Sequence, residues 1–322
     1  MFNKLKEKLP GVVENELLAN HTTFKIGGPA RYFFAAQGKS DLILAVKTAE
    51  ELNLEYVVLG WGSNLLVSDN GYDGLVIKNS SNNFKITGSE IYAESGVNLS
   101  RLVGEATKAG LSGLEFGAGI PGSVGGACFG NAGALGQGFG DIIKTAEIYQ
   151  NKKVKVLDKQ ELNFGYRDSV LKQIGGVVLS VTVELVPTES EIVQRNIVEI
   201  LKKRKDRIPY EPSAGCVFKN IDLANIEIID EARVIKALDI SQAEWQKVTV
   251  HKKLPIGFVI DCLGLKGKTI GGCQISEKHS AFFVNIGQAK AEHVLMLISD
   301  VKMRVRDQLG IQLQEEIRYL GF

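Results

Sequence analysis

Apolar positions along this chain switch between two periods, and the switches mark its elements. Over residues 40–52, SDLILAVKTAEEL, apolar side chains recur at Leu42, Ala45, Val46 and Ala49. That is the three-and-four spacing of one helix face, with Ser40 placed to cap its start. Two short apolar runs follow, YVVLG at 56–60 and GLVIK at 74–78. They read as buried strands, and the DNGYDG between them is turn chemistry. A small α/β unit reaching to about residue 78 is expected.

A second region opens with the strand-like IYAESG at 91–96. Residues 98–110 then place Leu99, Leu102, Val103 and Ala106 on one helical face, with Asn98 as cap and Gly110 as terminator. Strand patterns recur at AEIYQ, KVKVL and VVLSVTVELV, and residues 189–205 form a helix with Val193, Ile197, Ile200 and Leu201 inward. That helix ends in KKRKDR, cations that suit a helix C-terminus, and Pro209 and Pro212 follow. A domain boundary is expected there. A third α/β region closes with a helix from about Ala291 to Leu309, in which Val294, Leu297, Ile298, Val301 and Val305 point inward and Gly310 ends it. The tail IQLQEEIRYLG alternates with period two: Ile311, Leu313 and Ile317 share one face, Glu316 and Arg318 the other.

Composition narrows the class. A length of 322 residues suffices for two or three cores. The net charge of +1 gives no global field toward nucleic acid or an acidic membrane. No apolar stretch approaches a membrane span, and the N-terminus does not read as a signal peptide. Cys128, Cys216, Cys262 and Cys273 form no CxxC pair and have no histidine at zinc-finger spacing. A reduced, cytoplasmic, metal-free protein is expected.

Glycine is clustered in two loops. GWGSN (60–64) follows the strand YVVL directly, and GAGIPGSVGGACFGNAG spans 117–133. The second contains a GxGxxG at Gly117, Gly119 and Gly122, but it does not read as a dinucleotide fingerprint of the Rossmann kind. Pro121 removes an amide, Gly125 and Gly126 are poor helix, and no acidic residue follows at the required distance. No GK[ST] closes either loop. Both loops offer backbone N–H groups to an anion, and two facing loops would clamp a pyrophosphate, with Ser63, Asn64 and Ser123 adding side-chain bonds. The bland alternative is a pair of tight turns.

The remaining candidates are ambiguous one by one. Arg167 in FGYRDSV suits a surface ion pair. Glu316 suits a solvated strand face, and His279 in EKHSAFFVN suits a local bond. The basic run Lys202–Arg207 lacks the interleaved aromatics of a nucleic-acid site. Cys216, in the loop-like PSAGCVFKN, reads first as a buried inert thiol; as a nucleophile it would want a histidine base, and the nearest in sequence is His251.

Together these stretches resemble the UDP-N-acetylenolpyruvoylglucosamine reductase family. HTTFKIGGPARYF, GWGSNLLV, GAGIPGSVGGACFGNAG, FGYRDS, PSAGCVFKN, GLKGKTIGGCQISEKHSAFFVN and LQEEIRYLG occur in the family's order across residues 20–321. The resemblance implies an α+β protein with an FAD-binding fold of the vanillyl-alcohol-oxidase type. Subdomains 1–78 (rejoined by the tail 311–322) and 79–206 would bind FAD, and an α/β domain over 207–310 would bind substrate. It further implies non-covalent FAD held by Gly60, Gly62, Ser63, Asn64 and Leu65 of the first loop. The second loop would contribute Gly117, Ala118, Gly119, Ile120, Pro121, Gly122, Ser123, Gly126 and Asn131. NADPH would be the electron donor and a UDP-sugar the substrate, bound by Arg204, Lys219 and Asn220 with Lys278 and His279. Arg167 would stabilise an enolate, Glu316 would polarise the carboxylate from its protonated form, and Cys216 would deliver the proton. Most members carry Ser at this last position.

Two further points follow. Only 16 residues separate Pro187 from Arg204, so the chain is of the shorter type, without the Tyr-bearing loop that covers the nucleotide. A flavin oxidase of the same fold would often tether FAD through a histidine; neither glycine loop holds one, and His21 is the only early one.

Overall fold

In the computed structural model, residues 1–224 and 230–322 are described; residues 225–229, within the third expected region, lie outside them. The described chain divides into two units. The first comprises Met1–Glu16, Pro29–Gly62 and Tyr72–Asp206, the second Leu17–Gly28, Ser63–Gly71 and Arg207–Phe322. No helix among the described residues is long and apolar enough to cross a membrane.

The first unit holds two apolar cores. One forms where the parallel strands Pro29–Ala36, Tyr72–Asn79 and Tyr56–Leu59 lie side by side. The helix Lys39–Glu51 buries Leu42, Ala45, Val46 and Ala49 against Leu75 and Ile77 of the central strand. This helix starts one residue earlier than its apolar spacing predicts. Gly38, in an extended conformation, precedes it, and Asp41 rather than Ser40 takes a local amide, that of Gln37 at 3.0 Å.

The second core belongs to an antiparallel five-stranded sheet in the order Lys153–Asp158, Ile143–Gln150, Val177–Glu184, Glu90–Glu94, Phe84–Thr87. The helix Leu99–Lys108 covers it with the four predicted residues buried, capped by Asn98, whose Oδ1 accepts from Arg101 N at 2.8 Å. The helix Ser190–Arg207 buries Val193 and packs the half-buried Ile197 and Ile200 on the same core. Leu201 departs from its expected inward place: it is 43% exposed and lies over Gly119 instead.

The second unit is built on a four-stranded sheet in the order Ser213–Cys216, Phe282–Asn285, Cys273–Ile275, Thr269–Ile270. The helix Ala291–Leu309 buries Val294, Leu297, Ile298, Val301 and Val305 in its core and ends at Gly310, as its spacing predicts. The tail forms only a short strand, Arg318–Leu320, which pairs in parallel with Leu65–Val67.

Candidate functional site

In the first unit the two glycine loops meet. The strand Tyr56–Leu59 delivers Gly60 so close to the second loop that a β-carbon on it would collide with Ser123 Oγ. Only backbone without a side chain passes here. Ser123 is itself fixed: it caps the helix Val124–Gly130, its Oγ accepting from Gly126 N at 3.3 Å. Residues 125 and 126 are therefore helical, contrary to their low intrinsic propensity. The reason is tertiary. Gly125 N donates to Ser95 O at 2.8 Å, and a β-carbon on Gly125 would lie 2.6 Å from Ser95 Cβ, so a larger residue would push the helix off the sheet. Gly125→Ala is expected to cost about 1–3 kcal/mol, as overpacking does. Thermal unfolding of the purified variant checks this, and an unchanged midpoint would show that the helix shifts freely.

The rest of the second loop is tied down by its own backbone. Ala118 N donates to Glu115 O, Ile120 N to Gly117 O, and Gly122 O accepts from Leu99 N across Pro121. Asn131 closes the helix in a left-handed conformation; its Oδ1 accepts from Gly140 N at 2.8 Å and its Nδ2 donates to Gly165 O at 2.7 Å.

Arg167 belongs to the same assembly. Residues Gly165 and Asp168 exchange backbone hydrogen bonds of 3.0 and 3.2 Å, making a tight hairpin with Arg167 at φ +54°. The guanidinium donates to Gly133 O at 2.7 Å and to Asn131 O at 3.5 Å, and stands 5.4 Å from the Tyr166 ring centroid. The Arg167 guanidinium is thus bonded to carbonyls of the glycine loop, which its sequence context did not reveal. Arg204 is also in this unit. Its Cδ and Nε come within 3.4 Å of the place a β-carbon of Gly119 would take. The structure thus sets Arg204 against the second glycine loop, while Lys219 and Asn220 belong to the other unit.

In the second unit the tail is stitched on both sides. Glu316 N donates to Val217 O at 2.8 Å and Lys219 N to Gln314 O at 2.9 Å. On the other side Asn64 Nδ2 donates to Glu316 O at 3.1 Å and Arg318 N to Asn64 O at 2.9 Å, with Leu65 in register with Arg318. Cys216 ends a strand bulged at Gly215 (φ +80°) and pairs with Phe282, and Val217 N then donates to Ala281 O at 2.8 Å. Cys216 and Glu316 are thereby held one residue apart across a single backbone hydrogen bond, next to Asn64 of the first loop.

The thiols differ in surroundings. Burial pushes Cys128 and Cys273 up to about 12, and burial with the charges of Glu244 and Asp261 raises Cys262. Cys216 is half-exposed.

The other predicted substrate residues are placed as follows. Asn220 Oδ1 accepts from Ile256 N at 3.2 Å, so this side chain anchors the start of the helix Ile256–Cys262. His279 Nδ1 accepts from Ala281 N at 3.3 Å, its ring meets Phe282 edge-on at 5.1 Å, and burial lowers its pKa. Its local bond is the plainer of the two readings made from sequence. Lys278 Nζ stands 4.3 Å from the Tyr210 ring centroid.

Two residues escaped the sequence reading. Tyr210 is 74% exposed beside Lys278; its only signal was an aromatic between two prolines. Lys78 donates through Nζ to the carbonyl of Gly60 in the first glycine loop. Its signal was a lone cation ending the apolar run GLVIK.

Comparisons with known proteins agree with this arrangement. A family model described as FAD binding domain matches residues 30–152, and one described as UDP-N-acetylenolpyruvoylglucosamine reductase, C-terminal domain, matches 206–320. The UDP-N-acetylenolpyruvoylglucosamine reductase of Lachnoclostridium phytofermentans is 34% identical over 335 residues, covering 100% of this chain and 98% of the relative. That of Clostridium beijerinckii is 35% identical over 324 residues, covering 100% and 96%. The crystal structure of UDP-N-acetylenolpyruvylglucosamine reductase from Thermus caldophilus matches with a TM-score of 0.75 at 34% identity, covering 96% of this chain and 98% of that one.

Proposed function

This chain belongs to the UDP-N-acetylenolpyruvoylglucosamine reductase family, and from that membership we propose how its residues divide the reaction among them. It is an FAD-dependent oxidoreductase that reduces the enolpyruvyl group of UDP-N-acetylenolpyruvoylglucosamine in peptidoglycan precursor synthesis. The glycine loops fit the cofactor. Gly60 packs its bare backbone against Ser123 of the second loop, which brings the two loops together, and Gly119 does the same beneath Leu201 and Arg204. Gly60, Gly62, Ser63, Asn64 and Leu65 hold it from one loop, and Gly117–Ser123 with Gly126 and Asn131 hold it from the other. Held there and reduced by NADPH, FAD would supply the hydride that the methylene carbon of the enolpyruvyl group must gain.

The protein residues manage the charge that results. Negative charge develops on the carbon next to the one reduced and spreads into the carboxylate. A cation held ready for it lowers the barrier, because no reorganisation is needed when the charge appears. Arg167 is that cation, its guanidinium already fixed by the carbonyls of Asn131 and Gly133. Glu316, protonated, donates to the carboxylate. Cys216 gives its thiol proton to the carbanionic carbon. Lys219, Arg204, Lys278 and His279 serve the UDP-sugar, and Asn220 does so by positioning. Tyr210 beside Lys278 offers the uracil an aromatic face in place of the missing Tyr loop. The enzyme works in the cytoplasm, where its nucleotide-sugar substrate is made and used.

The observation that supports this division is the backbone hydrogen bond from Glu316 N to Val217 O, which joins the tail to the segment that carries Cys216. The test is optical. Purified protein is expected to show flavin absorbance, to bleach anaerobically with NADPH, and to recover its colour on addition of UDP-N-acetylenolpyruvoylglucosamine. Protein that takes up FAD but does not recover its colour with this substrate overturns the reading.

A further inference from the structure

Lys78 is a cation that the reaction does not use, placed where cations are uncommon. It is the penultimate residue of the strand Tyr72–Asn79, opposite Leu59 of one parallel neighbour and Ala35 of the other. Leu75 and Ile77 point to the helix Lys39–Glu51, so by strand alternation Lys78 and Val76 point the other way. The charges of that helix are engaged elsewhere: Lys39 with Glu147, Asp41 with the Gln37 amide, Glu50 with Tyr149, and Glu51 with Lys8 and the field of Lys47. Glu94 acts on Lys39. Gly60, whose carbonyl Lys78 bonds, carries no ionisable side chain, nor do its chain neighbours Trp61 and Gly62 or Ser123 opposite it. Burial alone lowers its pKa, to about 8 from an ordinary 10.5.

The Nζ donates to Gly60 O. No peptide bond in the described chain is cis. In a trans peptide the C=O and N–H point in opposite directions. Clamping the Gly60 carbonyl on Lys78 therefore turns the Trp61 N–H away from it. The ammonium also draws electron density from that peptide and makes its N–H a stronger donor.

We propose that Lys78 is a positioning residue for FAD: it locks the Gly60–Trp61 peptide in the orientation that presents the Trp61 amide to the cofactor's diphosphate. This rests on the reading of the glycine loops as the FAD cradle. A bound diphosphate stabilises the charged form of Lys78, so cofactor and proton bind together.

Two pH trends of opposite sign follow. Without FAD, the unfolded chain holds a proton on Lys78 between about pH 8 and 10.5 that the folded chain lacks. Apoprotein stability therefore rises with pH across that window. FAD affinity behaves in the reverse way: full below about pH 8 and falling above it, because the apoprotein must then take up a proton to bind. A lysine serving only the packing of the sheet would give the first trend without the second.

The experiment strips FAD from the full-length protein and titrates FAD back between pH 6.5 and 10, following flavin fluorescence polarisation, for wild type, Lys78→Met and Lys78→Arg. The expected result is an affinity about ten- to a hundredfold weaker in Lys78→Met at pH 7, the range for losing a charged hydrogen bond. The alkaline loss of affinity should vanish in that variant. Lys78→Arg should restore most of the affinity and move the alkaline loss beyond the range measured. Apo Lys78→Met should melt no lower than apo wild type, since it buries no charge; where it fails to fold, the wild-type profile and Lys78→Arg decide. Equal FAD affinity and an equal pH profile in wild type and Lys78→Met would overturn the proposal. Failure of wild type to bind FAD at any pH would instead overturn the cradle reading beneath it.

Discussion

Cys216→Ala is expected to lower turnover by about 10²- to 10⁴-fold, the usual contribution of a positioned acid, while NADPH bleaches the flavin at the wild-type rate. The two half-reactions make different demands. Flavin reduction by NADPH needs no acid from the protein at this position. On the proposed division of roles, reoxidation by the enolpyruvyl substrate leaves a carbanionic carbon that must gain a proton, and the thiol of Cys216 gives it. Stopped-flow measurement of each half-reaction separates them, and slow flavin reduction in the variant would contradict the assignment. A thiol near its reference pKa of about 8.5 is a better acid than a serine hydroxyl, but as thiolate it has no proton to give. Turnover should therefore fall as pH rises through the thiol pKa. Cys216→Ser should retain some activity and lose that alkaline limb; an identical limb in both proteins would show that another group titrates.

Arg167→Gly is expected to cut the rate of flavin reoxidation by substrate about 10²- to 10³-fold, the range for removing one preorganised donor to a developing anion. It should do so with little loss of stability. Arg167 sits at φ +54°, where a side chain is disfavoured and glycine is at ease. Glycine relieves that strain as it removes the charge, so function and stability should separate. Arg167→Lys keeps the charge but not the planar fork that bonds Gly133 and Asn131 together, and an intermediate rate is expected. Thermal melts with single-turnover kinetics check both. A variant that melts early and keeps its reoxidation rate would reverse the picture.

Much of the fold was legible because it is local. The helix Leu99–Lys108 has its cap, its apolar face and its terminating Gly110 written within thirteen residues, and all three are as the spacing predicts. The helix Ala291–Leu309 is equally plain. Where the reading missed, a distant partner had overruled a local preference. Gly125 and Gly126 are helical because Ser95, thirty residues upstream, leaves no room for a β-carbon and takes the Gly125 amide. Leu201 shares the apolar period of its helix but lies over Gly119, since the second glycine loop occupies the surface it covers.

The candidate residues divide in the same way. Arg167, Cys216 and Glu316 were ambiguous one by one, and only the family resemblance of the ordered motifs around them made them candidates. How they are held was not legible. The carbonyls that fix Arg167 come from a loop more than thirty residues away, and Asn64 reaches Glu316 across 252 positions of sequence. The bond from Ile256 N to Asn220 Oδ1 had no local signal, and Lys78 attracted no notice among apolar neighbours.

By itself the sequence determined the elements, the two glycine loops and the family chemistry, since periodicity, turn residues and motif order are short-range properties carried by neighbouring side chains. The tertiary structure alone decided that Gly60 meets Ser123, that Glu316 hangs between Asn64 and Val217, and that Lys78 clamps the first loop. Each depends on strands brought together from distant parts of the chain, where steric exclusion and hydrogen-bond satisfaction, rather than local preference, set the outcome.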